Sequence, residues 1–264
     1  MLPMPIDTES SLLQPTEAPA ARALNARGGA SAVLVCEHAS RFIPVSLNGL
    51  GLDEAAARSH AAWDIGAFEL SVELMGALDA PLVHSRVSRL VYDCNRPPER
   101  ADAMPQLSEV FPVPGNQNLS DDQRTRRIRE VYEPFRQLLA STLDARPAPP
   151  VLITMHSFTP VYKGKVRAVE LGILHDADDR AAQIMLRHAK DSGLRVALNE
   201  PYSATDGVTH TLREHAISRG IPNVMIEVRN DLIDTPTGIN RIAGQLAPIL
   251  RSVVDELSQV EAKI

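Results

Sequence analysis

The sequence predicts a single-domain α/β protein with a mixed, largely parallel sheet flanked by helices. Three short apolar runs rich in β-branched residues, Ala32–Val35, Val151–Met155 and Asn223–Ile226, read as strands buried on both faces. Stretches of helical period stand between them, and that alternation of strand and helix is the pattern of a helix-covered parallel sheet. No internal repeat or shift in composition divides the 264 residues, a length that can bury a substantial core.

In chain order, residues 1–29 are rich in Pro, Ser, Thr, Ala and Gly without a sustained period. They are expected to form an irregular or loosely docked arm ahead of a domain spanning 30–258. After the first strand, Asp53 caps a short helical piece, and a clearer helix is expected over 64–78 with Ile65, Phe68, Val72 and Met75 on one face. Strands are expected over 81–84 and 89–92. The stretch from Asn95 to Asn118 carries five prolines and no period, which marks a long functional loop. Ser120 caps a helix to about residue 143, kinked by Pro134. Further strands are expected at 151–155, 169–174, 195–198 and 223–226, with helices over 178–192, 209–219 and 236–257.

Hydrophobic residues make up 44% and charged residues 23% of the chain, with a net charge of −6, so a broad nucleic-acid footprint is excluded. Arg124, Arg126, Arg127 and Arg129 are flanked by Asp121, Asp122, Glu130 and Glu133 and read as a solvated helix face. The two cysteines, Cys36 and Cys94, form no CxxC pair and suit reduced thiols. The first thirty residues lack the basic and apolar regions of a signal peptide, and no apolar run approaches membrane length. A cytoplasmic protein without nucleic-acid or membrane partners is therefore expected.

The chemistry concentrates at strand ends. Three separate strands terminate in Glu37-His38, His156 and Glu227. Singly, each is more simply a hydrogen-bonded structural histidine or the first solvated glutamate. Recurrence changes the reading, because parallel strands would bring these ends to one edge of the sheet, where ligands bind in open α/β folds. Two imidazoles and two carboxylates are an inventory for a zinc (or other divalent metal) site with an acid–base group. A catalytic zinc needs a third ligand, and no Glu stands three residues after His38. Asp64 and Glu37 are the acidic candidates, although Asp64 would serve equally as a helix N-cap and Glu37 should point away from its neighbour on an extended strand.

The stretch Ser88 to Arg96 adds two arginines, an Asp and an Asn. Arginine grips carboxylates in a bidentate fork, so one of Arg89 and Arg96 could pair with Asp93 while the other faces an anionic substrate. His60, His210 and His215 remain as supporting groups. Neither GxSxG, GxGxxG nor a Walker A sequence occurs, which argues against a serine-hydrolase elbow, dinucleotide binding and P-loop phosphoryl transfer.

The series EHAS…IP (37–44), HAAWDIGA (60–67), SRLVYDCNRP (88–97), TMHSF (154–158) and IEVRNDLI (226–233) resembles the N-formylglutamate amidohydrolase family, in order and over Ala32 to Val254. The resemblance implies an α/β phosphorylase/hydrolase-like fold, similar to zinc amidases and carboxypeptidases. It further implies His38, Asp64 and His156 as metal ligands and Glu227 as general base and then acid. Arg89, Asn95 and Arg96 would hold the carboxylates of a small anionic N-acyl amino acid. The implied reaction turns N-formyl-L-glutamate and water into formate and L-glutamate, late in histidine degradation. Glu37 departs from the family pattern, where proline or a small residue is expected. The reaction class therefore transfers better than the substrate, and another N-acyl amino acid, a peptide amide, or non-catalytic carboxylate binding are the alternatives.

Overall fold

The structure is a computed structural model and describes residues 11–261. From the amino end, β1 (Ala21–Leu24) and β2 (Ala32–Cys36) are followed by α1 (Glu54–Arg58), α2 (Ala67–Leu78) and β3 (Leu82–Ser85). A small hairpin, β4 (Leu107–Ser108) and β5 (Phe111–Pro112), precedes α3 (Asp121–Arg127) and α4 (Glu133–Asp144). Then come β6 (Val151–Phe158), a second hairpin of β7 (Val161–Tyr162) and β8 (Lys165–Val166), β9 (Leu171–Leu174), α5 (Arg180–Ala189) and β10 (Val196–Leu198). The strand β11 (Asn223–Arg229) and the long α6 (Pro236–Glu261) close the described chain.

Seven strands form one sheet in the order β1-β3-β2-β6-β11-β9-β10. The central neighbours β3, β2, β6 and β11 run parallel, while β1 on β3 and β9 on β11 are antiparallel. This is the mixed, largely parallel, single-domain architecture expected. The three apolar runs are continuous because both sheet faces are covered. Along β2, Leu34 and Cys36 enter the core under α2, α5 and α6, whereas Val33 and Val35 enter the opposite core with Phe135 and Leu139 of α4. β6 and β11 divide in the same way, with Ile153, Met155, Val224 and Ile226 on the first side and Leu152 and Met225 on the second. Among the described residues, no helix is long and apolar enough to cross a membrane.

Several expectations change. Ala21–Leu24, inside the stretch expected to be irregular, is an edge strand paired with β3; four residues ending next to Asn25 are too short to show a period. Residues 89–92 are a turn rather than a strand. Ser88 explains this: its carbonyl accepts from Val91 N and its hydroxyl donates to Ala62 O, so the chain folds back on itself while Leu90, Val91 and Tyr92 are buried. α2 begins at Ala67, with Gly66 at its N-cap in the left-handed region (φ 76). A Cβ there would meet Ile233 O at 2.1 Å, so only glycine fits. Asp64 therefore lies ahead of the helix, and its side chain caps nothing. The helix from Ser120 passes through a wide π turn at Ile128–Tyr132 just before Pro134, whose missing N–H cannot continue the regular ladder. The helix expected over 209–219 is likewise a π turn, Leu212–Ala216, running into a 3-10 turn, Ile217–Arg219.

The basic helix face is also not uniformly solvated. Arg127 is buried and donates to Val91 O (3.1 Å), Asn116 Oδ1 (2.6 Å) and Gly115 O (3.1 Å). It ties the proline-rich loop to the turn that leads into Asp93. Burial lowers its pKa to about 10. Arg129, by contrast, is exposed and pairs with Glu130. Replacing Arg127 with Met should cost about 3 kcal/mol of unfolding free energy, because two buried acceptors and one partly buried one lose their donor. Arg129→Met should cost under about 1 kcal/mol. Urea denaturation of the two variants measures the difference, and equal midpoints would contradict this assignment.

Candidate active site

The site forms where β2, β6 and β11 end. His156 and Glu227 lie side by side in register on parallel strands. Glu37 and His38 follow β2 in a turn, and the backbone holds Asp64 beside them, since Asp64 N donates to His38 O (3.0 Å). His38, Asp64 and His156 are buried and converge, each offering a ligand atom within 4.8 Å of the others. The two Nδ1 atoms are 3.2 Å apart, and Asp64 Oδ2 is 3.3 Å from that of His38 and 3.0 Å from that of His156.

The outer ring nitrogens face carboxylates. His38 Nε2 is 2.7 Å from Asp93 Oδ1, and His156 Nε2 is 3.2 Å from Glu37 Oε2. Glu37 and His38 lie in a turn rather than on the extended strand expected, yet they still part company: Glu37 backs the second histidine rather than joining the converging trio. Such an outer carboxylate fixes the tautomer and orientation of an imidazole whose inner nitrogen is to bind a cation. Burial lowers the His156 pKa, but Glu37 and Asp64 outweigh it and hold the ring well above its ordinary value. Burial likewise pushes Asp64 and Asp93 up; the histidines around Asp64, and His38 and Arg89 beside Asp93, override it and keep both carboxyls well below the usual range.

Arg89 spans these two carboxylates, with Nη1 to Asp64 Oδ1 and Nη2 to Asp93 Oδ2, both at 3.1 Å. Asn95 is spent on the fold: its Nδ2 donates to Val208 O (2.6 Å) and its Oδ1 accepts from Thr211 N (3.0 Å), pinning the 88–96 turn to the start of the 210–219 helix. Arg96 directs Nε to Asp102 Oδ2 (3.2 Å) and Nη1 to Asn95 O (2.9 Å). All three border a cavity of about 150 Å³ that also exposes His38, Asp64, His156 and Glu227. Glu227 is buried and its Oε2 has no hydrogen-bond partner. Burial, reinforced by Asp64, raises its pKa to about 7 despite the nearby His156, His38 and Arg89. A carboxyl poised at that value suits proton transfer near neutrality.

Of the other histidines, His60 borders the cavity 3.7 Å from Asp64 Oδ1, and burial lowers its pKa to about 4. His210 bonds Tyr132 Oη (2.8 Å) in a neighbouring cavity. His215 is buried, with a pKa lowered to about 3, chiefly by burial. Asp93 is the contributor whose role the residues alone concealed. It was legible only as an arginine partner, because nothing in the spacing places it against His38.

A buried two-imidazole, one-carboxylate group beside an unpartnered glutamate, at the carboxyl edge of a mixed sheet, defines a hydrolase-like α/β site. The sequence profile of the N-formylglutamate amidohydrolase family matches residues 30–234, and the chain belongs to that family. Membership makes it a hydrolase of amide bonds. The crystal structure of a gene product from Agrobacterium tumefaciens is similar at 44% identity and a TM-score of 0.91, over 94% of this chain and 99% of that one. An N-formylglutamate amidohydrolase from Ralstonia eutropha shares the fold at 15% identity and a TM-score of 0.64, over 92% of this chain and 99% of that one. A search of curated proteins finds no match.

The buried His215 gives a pH prediction with a definite sign. Its folded pKa, about 3, lies below the unfolded value near 6.5, so its stabilising contribution is present above pH 6.5 and is lost as pH falls toward 3. His215→Gln should therefore lose less Tm than the parent protein between pH 7 and pH 4. Parallel pH profiles in thermal unfolding would contradict this.

Proposed function

We propose that the chain hydrolyses the N-formyl amide of a carboxylated amino acid, N-formyl-L-glutamate and water giving formate and L-glutamate, with His38, Asp64 and His156 holding zinc or another divalent cation. The observation that carries the reading is the convergence of two neutral-capable nitrogens and one carboxylate oxygen beside Glu227, whose Oε2 has no hydrogen-bond partner among the described residues. Two ring nitrogens 3.2 Å apart can share at most one proton, whereas a cation accepts both lone pairs, so the donor set fits such an ion. Two nitrogens and one oxygen are also the ligand set of several catalytic zinc sites. When bound, the ion would lower the pKa of a water and polarise the amide carbonyl.

The chain's own groups supply the rest. Glu227 accepts the proton of the attacking water on a carboxylate oxygen and passes it to the departing amine nitrogen. Asp93 hydrogen-bonds His38 Nε2 and Glu37 stands at ion-pair distance from His156 Nε2, so both Nδ1 atoms are left turned inward. Arg89 holds Asp64 and Asp93 apart at a fixed spacing, and Asn95 anchors the turn that carries them. Arg96 keeps Nη2 uncommitted and is the cation of the trio best supplied to receive a substrate carboxylate. A cavity of about 150 Å³ favours a small acyl group over a long one. The proposal includes the cytoplasmic setting and the place in histidine degradation that the resemblance implies; two buried free cysteines are in keeping with a reducing compartment.

Formate release from N-formyl-L-glutamate should be lost on chelation and restored by zinc. Glu227→Gln should lower kcat by about 10²- to 10⁴-fold while zinc content stays at the parental level. Near-normal turnover, or loss of the metal in that variant, would contradict the role given to Glu227.

A further inference from the structure

Arg167 sits in an aromatic cage at the rim of the site. Its guanidinium carbon lies 4.5 Å from the ring centre of Tyr162, 5.0 Å from that of Tyr202 and 5.5 Å from that of Phe158. Its two hydrogen bonds go to neutral acceptors, Nη1 to Thr159 O (3.3 Å) and Nη2 to Tyr202 Oη (3.0 Å). Arg89, Arg96 and Arg229 each reach a carboxylate within 4 Å; among the described residues Arg167 reaches none. Three rings crowd the guanidinium, and three of its five N–H groups remain unspent for a partner. Such N–H groups are what a carboxylate takes in a bidentate fork.

The position of Arg167 says which carboxylate. Tyr162, Tyr202, Val208 and Arg96 form the boundary between the cavity that holds the His–Asp–His group and a larger outer cavity of about 810 Å³. Arg167 borders only the outer one. An α-carboxylate, two bonds from the scissile nitrogen, stays in the inner cavity within reach of Arg96. A carboxylate at the end of a side chain extends toward the boundary.

Resting on the reaction proposed above, we infer that Arg167 is the specificity-determining residue for the substrate's side-chain carboxylate. Tyr162 and Tyr202 hold its guanidinium at the boundary for that purpose. The hairpin β7–β8 places it there, since Arg167 N donates to Pro160 O (2.8 Å) across the hairpin base and Arg229 Nη1 donates to Arg167 O (3.2 Å).

The test compares N-formyl-L-glutamate with N-formyl-L-glutamine, which keeps the α-carboxylate and lacks the side-chain charge. Zinc-loaded parent and Arg167→Met and Arg167→Lys proteins are assayed for formate release. Binding of both compounds is measured by calorimetry on the Glu227→Gln background with and without Arg167→Met. The preference for glutamate over glutamine, in kcat/KM and in Kd, should shrink by about 100-fold in Arg167→Met, mostly through KM, with Arg167→Lys between. An unchanged preference overturns the inference, as does an equal loss on both compounds or no binding of either. A parent protein that binds the glutamate compound preferentially yet releases no formate defeats the proposed reaction and leaves the Arg167 comparison to be decided by the Kd ratio.

Discussion

Everything at the site depends on one buried carboxylate. Asp64 accepts from the Ser157 amide on Oδ2, which also faces both inner imidazole nitrogens, and from Arg89 on Oδ1. Burying a carboxylate this completely is unfavourable unless each oxygen is satisfied, and here each is. Asp64 reaches this point because three backbone conditions hold together. Its N–H is fixed to His38 O, the chain turns through Gly66 in the left-handed region, and α2 starts only at Ala67. A Cβ at residue 66 would strike the Ile233 carbonyl, so the close approach of two backbones is tied to the placement of a polar side chain two residues earlier.

The charges around that centre form a graded set. Glu37 and Asp93 stand outside the histidines, Asp64 stands between them, and Glu227 stands across the cavity with a free oxygen. Arg89 joins two of the acids, Asp64 and Asp93, and offsets part of the negative charge buried there. The result is one carboxyl pushed up to about 7 among neighbours held low. Titratable groups driven apart by their surroundings are how acid and base roles become distinct in a single pocket.

The central strands and their chemistry were legible because they are buried on both faces and end sharply in polar residues. The runs at β2, β6 and β11 need no partner to be recognised, and parallel pairing then brings His38, His156 and Glu227 to one edge. What the sequence concealed is tertiary. β1 spans four residues and is a strand only because β3 lies beside it. Arg89 to Tyr92 looks like a strand by composition, but the preceding serine, which bonds backbone on both sides, makes it a turn. Arg127 shares the spacing of its solvated neighbours and differs only in having a loop folded over it. Asp93 and Arg167 are equally silent in one dimension, since their meaning is set by a ring or a cavity supplied from elsewhere. Glu37, conspicuous in the sequence for breaking the family pattern, finds its place as the outer partner of His156.

The central claim is that His38, Asp64 and His156 form one cation site, with Glu37 and Asp93 outside it. Anomalous diffraction at the zinc edge, from crystals grown with zinc, tests it most directly. The account predicts a single strong peak within about 2.0–2.2 Å of the Nδ1 atoms of His38 and His156 and of an Asp64 oxygen. A peak on the Glu37 side of His156, or none in that cavity, would contradict it.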